Sequence, residues 1–233
     1  MIMPSTALNT TCVSKSSRRL AAFFDVDNTL IPGVAIEVRF FGYLLKRGVV
    51  GMTEALRSVG YLVRHLPPVS LHPLRERKLY LEGKQPATIE PIAEEFVRSH
   101  ILHKLAWEGL ATLERHRSEG HRLVLITGSL DFLIAPLAKE LGIDCVLAAQ
   151  PERTESGYTG RVVPPLPYGE GKRHLVERFA KQEQMELKDC YAYGDSPGDF
   201  AVLQCVGYPQ VVNPIRGMAR VARSRGWPIV KWI

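Results

Sequence analysis

Asp25 and Asp27 stand two residues apart at the end of an apolar run, in the segment LAAFFDVDNTLI. Two carboxylates at the exit of a buried strand are costly unless a cation or a reaction needs them. Far downstream, YAYGDSPGD gives another short apolar run followed by Asp195 and, four residues on, Asp199. Between the two, Leu123–Ile126 runs into Thr127-Gly128-Ser129. A strand exit of this kind, at the start of a helical stretch, offers a hydroxyl, backbone N–H groups and a helix N-terminus to an anion. Lys172, behind Gly169 and Gly171, falls in the first turn of an expected helix, where its charge opposes the helix dipole. An anion beside it would account for that placement. Oxygen ligands with room for water and phosphate are what Mg²⁺ favours. The expected chemistry is that of a divalent metal and a phosphate, provided the two acidic strand ends are neighbours.

Each piece has a plainer explanation. Asp27, Asn28 or Thr29 suits a helix N-cap. A calcium loop also opens D-x-D, but Leu30 and Ile36 occupy the positions where an EF-hand needs Gly and Glu. Gly194–Asp199 alone is a Gly/Pro turn, Ser and Gly begin many helices, and Lys172 alone is a surface lysine. The order Asp-x-Asp, Thr, Lys, Gly-Asp-x-x-x-Asp over successive strands is far more specific than any part.

The elements that must position these groups alternate. Five short apolar runs read as buried parallel strands: Leu20–Val26, Leu123–Thr127, Cys145–Ala148, Cys190–Tyr193 and Val206–Val212. Helical patterns at Leu105–Ser118, Phe132–Leu141, Lys172–Glu183 and Phe200–Cys205 separate the later ones. The implied fold is α/β, a three-layer Rossmann-like core with a parallel sheet covered on both faces. The interval from Gly33 to Lys104 breaks the rhythm. Glu37–Lys46, Met52–His65 and Ile89–Ile101 look amphipathic, with prolines at 67, 68 and 73 between them. An irregular connection of that length is unusual in a compact domain, so a helical cap inserted after the first strand is expected, moving as a lid over the strand ends. The expected organisation is a flexible tail over 1–17, a core made of 18–32 and 105–233, and a cap over 33–104. Gln150–Val163, with Gly157 and Gly160, reads as a hairpin or flap.

Composition sets few limits. The formal charge of +6 suits an anionic ligand, but much of it lies near the ends, at Lys15, Arg18, Arg19, Arg216, Arg220, Arg223, Arg225 and Lys231. No aromatic-basic stripe supports nucleic-acid binding. Cys12, Cys145, Cys190 and Cys205 lack metal or disulfide spacing, which fits a reducing, cytoplasmic setting. No run approaches the roughly 20 apolar residues of a membrane span. Neither His100 and His103 nor His116 and His121 have carboxylate or cysteine neighbours at evident ligand spacing, so the histidines read as surface or packing residues.

Taken in order, the motifs resemble those of the haloacid dehalogenase (HAD) superfamily, and most closely its phosphoserine-phosphatase-like branch, subfamily IB, from about Leu20 onward. The resemblance implies that Asp25 is the nucleophile and Asp27 the general acid and base. Mg²⁺ would be held by Asp25, Asp195 and the backbone carbonyl of Asp27, with Asp199 in support. Thr127, Gly128 and Lys172 would bind phosphate oxygens. The partner would be a small-molecule phosphate ester. Two rivals stay open beside it: phosphoserine phosphatase proper, and a phosphoaspartate signalling domain that binds without hydrolysing. Asp27 disfavours a dehalogenase, because departing halide needs no proton. That branch commonly has a glutamate nearer the nucleophile, about where Val34 stands, and an asparagine where Gly198 stands. Both departures weigh against phosphoserine. Glu37, Arg39, Tyr43, Arg75 and Arg77 are the candidates for leaving-group contacts.

Overall fold

The computed structural model describes residues 20–65, 76–143 and 145–233. Its seven strands form one sheet in the order β4-β3-β2-β1-β5-β6-β7. They are β1 (Ala21–Phe24), β2 (Arg122–Leu130), β3 (Cys145–Thr154), β4 (Gly157–Val163), β5 (Tyr191–Gly194), β6 (Tyr208–Val212) and β7 (Ile229–Val230). All neighbours are parallel except β3 and β4, an antiparallel hairpin where a flap was expected. The helices are α1 (Ile36–Lys46), α2 (Met52–His65), α3 (Pro86–Phe96), α4 (Trp107–Ser118), α5 (Asp131–Leu141), α6 (Glu170–Gln182), α7 (Phe200–Cys205) and α8 (Met218–Arg225).

Side chains alternate across a strand, so a strand buried on both sides is apolar throughout. Ala22 and Phe24 of β1 join one apolar cluster, and Ala21 and Phe23 join the other. Phe24 stacks on Tyr193, and Phe23 meets Phe179 of α6 edge-on. Fully burying each phenylalanine contributes about 1.5–3 kcal/mol. This two-sided burial holds β1 at the centre of the sheet.

The centre of the sheet decides the site. β1 pairs with β2 on one side and β5 on the other. Phe24 lies opposite Tyr193, and the Asp25 N–H donates to Tyr193 O at 2.9 Å. The two acidic strand ends are therefore adjacent.

β2 runs three residues past the expected Thr127, because pairing with β3 resumes at Leu130 opposite Ala149 after a shift of register. Thr127-Gly128-Ser129 consequently lies in the strand extension. α5 begins only at Asp131, so these residues are not at a helix N-terminus. β7 and α8 are additional to the elements read from the sequence.

Between β1 and α4 the described residues are mostly helical. α3 opens with Pro86 at a helix start, where its missing N–H costs nothing. It passes into one π-helical turn at Val97–Ile101 and a 3₁₀ turn at Leu102–Lys104. Phe40 of α1 packs on Phe96 of α3 and on Phe132 of α5. This segment thus shares one continuous apolar cluster with the sheet. Residues 78–84, which hold a 3₁₀ turn at Leu79–Leu81, are also bonded to the β4 edge: Lys78 N donates to Gly160 O at 2.7 Å, Gly83 N to Tyr158 O at 2.8 Å, and Tyr158 N to Lys84 O at 2.9 Å. The tail over 1–17, the prolines at 67, 68 and 73, and Arg75 lie outside the described residues.

Candidate active site

Asp25, Asp27, Asp195, Asp199 and Lys172 converge at the carboxyl ends of β1 and β5. Asp25, Asp195, Asp199 and Lys172 are all buried. The Lys172 ammonium donates to Asp25 Oδ1 at 2.6 Å and to Asp199 Oδ1 at 2.5 Å. Thr29 Oγ1 donates to Asp25 Oδ2 at 3.1 Å. Asn28, in the left-handed region at φ 58°, turns its Nδ2 to Asp195 Oδ2 at 2.8 Å. Asn is among the few residues that adopt that conformation readily. Asp199 Oδ2 accepts from the Ser196 N–H at 3.1 Å and the Ser196 hydroxyl at 2.9 Å, so both of its oxygens are engaged. Asp27 faces elsewhere: Oδ1 accepts from the Ile36 N–H at 2.7 Å, at the start of α1, and Oδ2 from Ser129 Oγ at 2.6 Å. The capping role open to Asp27 is thus real, but the helix it caps starts nine residues later.

Burial dominates the electrostatics. It holds Asp25 well above the usual carboxylate range, Asp199 pushes the same way, and Lys172 opposes. Asp195 is pushed up to about 7 by burial and by Asp199, against the Asn28 hydrogen bond. Burial also raises Asp27, against the bonds from Ser129 and Ile36. For Lys172 burial works against the charged form, but Asp199 and Asp25 outweigh it and raise its pKa. Three buried carboxyl groups, Asp25, Asp195 and Asp199, thus crowd one ammonium, and a cation would relieve the imbalance. Asp25, Asp195 and Asp199 each bring an oxygen within 4.8 Å of the others. This buried, all-oxygen donor set fits Mg²⁺.

Two glycines make the convergence possible. A Cβ on Gly171 would lie 1.8 Å from Leu166 O, so the α6 start that carries Lys172 can press on that loop only without a side chain. A Cβ on Gly198 would lie 2.3 Å from the Tyr168 ring, which explains why no asparagine stands there. Gly171→Ala is expected to cost about 1–3 kcal/mol, as overpacking does, and to lower turnover by shifting Lys172. Urea unfolding checks it; an unchanged midpoint would refute the steric argument.

A cavity of about 600 Å³ opens above these groups, with Asp25, Asp27, Gly128, Lys172 and Asp195 in its lining. Thr127 is fully buried beside it, its Oγ1 accepting the Ser129 N–H at 3.1 Å. Of the leaving-group candidates, Glu37 and Arg77 line the cavity. Arg39 and Tyr43 are not brought to it. The Arg39 guanidinium donates to Val34 O at 2.8 Å, and the Tyr43 hydroxyl donates to Glu95 at 3.1 Å. Sequence reasoning missed Lys78 and Tyr80, which bind Glu37 at 2.7 and 3.1 Å and also line the cavity. It also missed Thr29, Asn28 and Ser129 as partners of the aspartates. The D-x-D-N-T run was the available signal for the first two; nothing local pointed to Ser129. His116 corrects a further expectation, for it is fully buried with Glu119 and His121 beside it.

A buried carboxylate paired with a lysine, beside an acidic cluster at the carboxyl end of a parallel sheet, sets the class of protein to look for. Residues 22–204 match the model of the family described as haloacid dehalogenase-like hydrolase, and the chain belongs to that family. Among its relatives is phosphoserine phosphatase SerB1 of Mycobacterium tuberculosis, 33% identical over 90% of this chain and 70% of that protein. Histidinol-phosphatase of Neisseria meningitidis is 26% identical over 91% of this chain and 98% of that one. A crystal structure of a protein of unknown function from Bordetella pertussis superposes with a TM-score of 0.80 at 27% identity, covering 92% and 99% of the two chains. Among the described residues, no helix is long and apolar enough to cross a membrane.

Proposed function

We propose that this chain is a Mg²⁺-dependent phosphatase that hydrolyses a small-molecule phosphomonoester through an aspartyl-phosphate on Asp25. The observation that carries the proposal is the Lys172 ammonium, buried and bonded to both Asp25 and Asp199 at the floor of the cavity. It holds the nucleophile in place and offers positive charge where a phosphoryl group would arrive. The names of the relatives support the reading.

In the proposed reaction an Asp25 oxygen attacks phosphorus and the bond to the leaving oxygen breaks. Asp27 gives that oxygen its proton, a role favoured by the burial that raises its pKa above the usual carboxylate range. Asp27 then takes a proton from water, whose oxygen attacks phosphorus as the bond to Asp25 breaks. Inorganic phosphate leaves and both carboxyls are restored. Ser129 and the Ile36 N–H orient Asp27 throughout. Gly128 and Lys172 bind phosphate oxygens, together with Thr127, which lies buried beside them in the extension of β2 and accepts the Ser129 N–H. Asp25, Asp195 and the Asp27 carbonyl would hold Mg²⁺, with Asp199 positioning Lys172. When bound, Mg²⁺ would neutralise phosphate charge and align it for in-line attack.

Residues 33–104 act in this proposal as a cap that chooses the leaving group, through Glu37, Lys78, Tyr80 and Arg77. Phosphoserine is the second reading, favoured by the name of the SerB1 relative. It would ask Glu37 to bind an ammonium, yet Lys78 and Tyr80 already engage both of its oxygens. A cytoplasmic location belongs to the proposal too. The test is phosphate release from a broad panel of phosphomonoesters with Mg²⁺. Release that disappears with a chelator and returns with Mg²⁺ is expected, with a non-phosphoserine ester preferred. No release from any ester would end the proposal.

A further inference from the structure

His116, Glu119 and His121 meet at the C-terminal end of α4 and the turn into β2, where the strands begin. The three ligand atoms form a triangle. His116 Nδ1 and His121 Nδ1 are 2.7 Å apart, and Glu119 Oε2 lies 3.4 Å from His121 Nδ1 and 3.8 Å from His116 Nδ1. We propose that these three side chains form a second metal site, selective for a zinc-class transition cation and separate from the carboxylate pocket.

The chemistry of the triangle points that way. Two imidazoles and one carboxylate suit Zn²⁺ and its neighbours, whereas Mg²⁺ prefers oxygen alone. Bonds of about 2.0–2.1 Å to a tetrahedral cation space its ligands about 3.3–3.4 Å apart. The His121–Glu119 edge, at 3.4 Å, already has that length, and the His116–Glu119 edge, at 3.8 Å, would shorten slightly as the exposed Glu119 side chain turns in. The His–His edge is shorter because one imidazole N–H donates to the other ring. A cation would replace that shared proton, and the edge would open by about 0.6 Å to tetrahedral spacing.

The surroundings are arranged as for a ligand. His116 is fully buried, with its Nε2 2.8 Å from the Tyr193 hydroxyl. Such a partner on the far nitrogen fixes the ring and aims Nδ1. Burial keeps His116 neutral, with its pKa lowered to about 4, and a neutral imidazole is the ligating form. His121 stacks on Tyr191, which stacks on Tyr208. Glu119 is exposed, which leaves the fourth position open to water. The end of α4 adds its negative dipole. Arg115 is the opposing charge: it donates to Tyr193 Oη at 3.1 Å and lies 3.3 Å from His116 Nε2. With metal bound, His116 carries its proton on Nε2 and donates to Tyr193, and Arg115 keeps its bond to the same oxygen. The cation would then clamp the end of α4 to the start of β2.

Titration with Co²⁺ in excess Mg²⁺, followed by visible absorption, tests this directly. The expected result is one equivalent of Co²⁺ with the intense bands of a tetrahedral site, bleached by Zn²⁺. His121→Ala should abolish the bands. Glu119→Gln, at an exposed position that does not threaten folding, should weaken binding by at least the roughly 10–100-fold that loss of an outer partner costs. Asp195→Asn should leave the bands intact. Absence of tetrahedral bands in the wild-type protein would overturn the proposal, as would bands that survive in His121→Ala or vanish in Asp195→Asn. None of these readouts depends on phosphatase turnover.

Discussion

Asp25→Asn is expected to reduce phosphate release by on the order of 10⁶-fold, the scale seen when a covalent nucleophile is removed, without lowering the unfolding midpoint. The two halves of this outcome have different causes. An amide cannot make the bond to phosphorus, so the covalent route closes. The fold has no reason to suffer, because Asp25 is one of three buried carboxyls crowded around a single lysine. Asparagine keeps an oxygen for Lys172 and removes a charge that burial already disfavours. Lys172 would still be bonded to Asp199. Steady-state phosphate release and urea unfolding on the same preparation check both halves. Appreciable turnover would show that some other group attacks phosphorus.

Lys172→Met should fail in both assays. The methionine keeps much of the stem's volume but leaves Asp25 and Asp199 buried without their shared cation. Breaking a buried ion pair from one side costs about 3–5 kcal/mol. The folded-state pKa of Lys172 is raised, so the ammonium is fully present, and its stabilisation complete, across the neutral range. Turnover should fall as well, because positive charge at the phosphoryl site and the aim of Asp25 are lost together. A second change, Asp199→Asn, should return part of the stability but none of the activity. A Lys172→Met protein as stable as wild type would mean that the carboxyls solve their crowding without the lysine.

The sequence was most informative where chemistry and backbone coincide. Asp25, Asp27, Asp195 and Asp199 follow strands short enough to read by composition, and Lys172 opens a helix. The α/β alternation and the hairpin at β3 and β4 were legible for the same reason. What could not be read depends on distance along the chain. Asn28 reaches Asp195 across 167 residues and Ser129 reaches Asp27 across 102. The partners of Glu37 lie 41 and 43 residues on, past a proline-rich stretch without periodicity. The end of β2 was misread because Thr-Gly-Ser is helix-start chemistry, while the pairing that keeps it extended comes from Ala149. β7 is two residues long and gives no pattern. His116, Glu119 and His121 sit within six residues of one another, but a turn at Gly120, φ 76°, is what folds them together.

The bonds between 78–84 and the β4 edge carry an evolutionary consequence. They make the wall bearing Lys78 and Tyr80 a fixture of the sheet, built apart from the strands that supply the aspartates. If that wall chooses the ester, as proposed, descendants of this chain can exchange it and acquire a new ester while the reacting centre stays as it is. Diversity of substrate among such proteins would then be written in a short stretch of sequence, on a foundation that need not be reinvented.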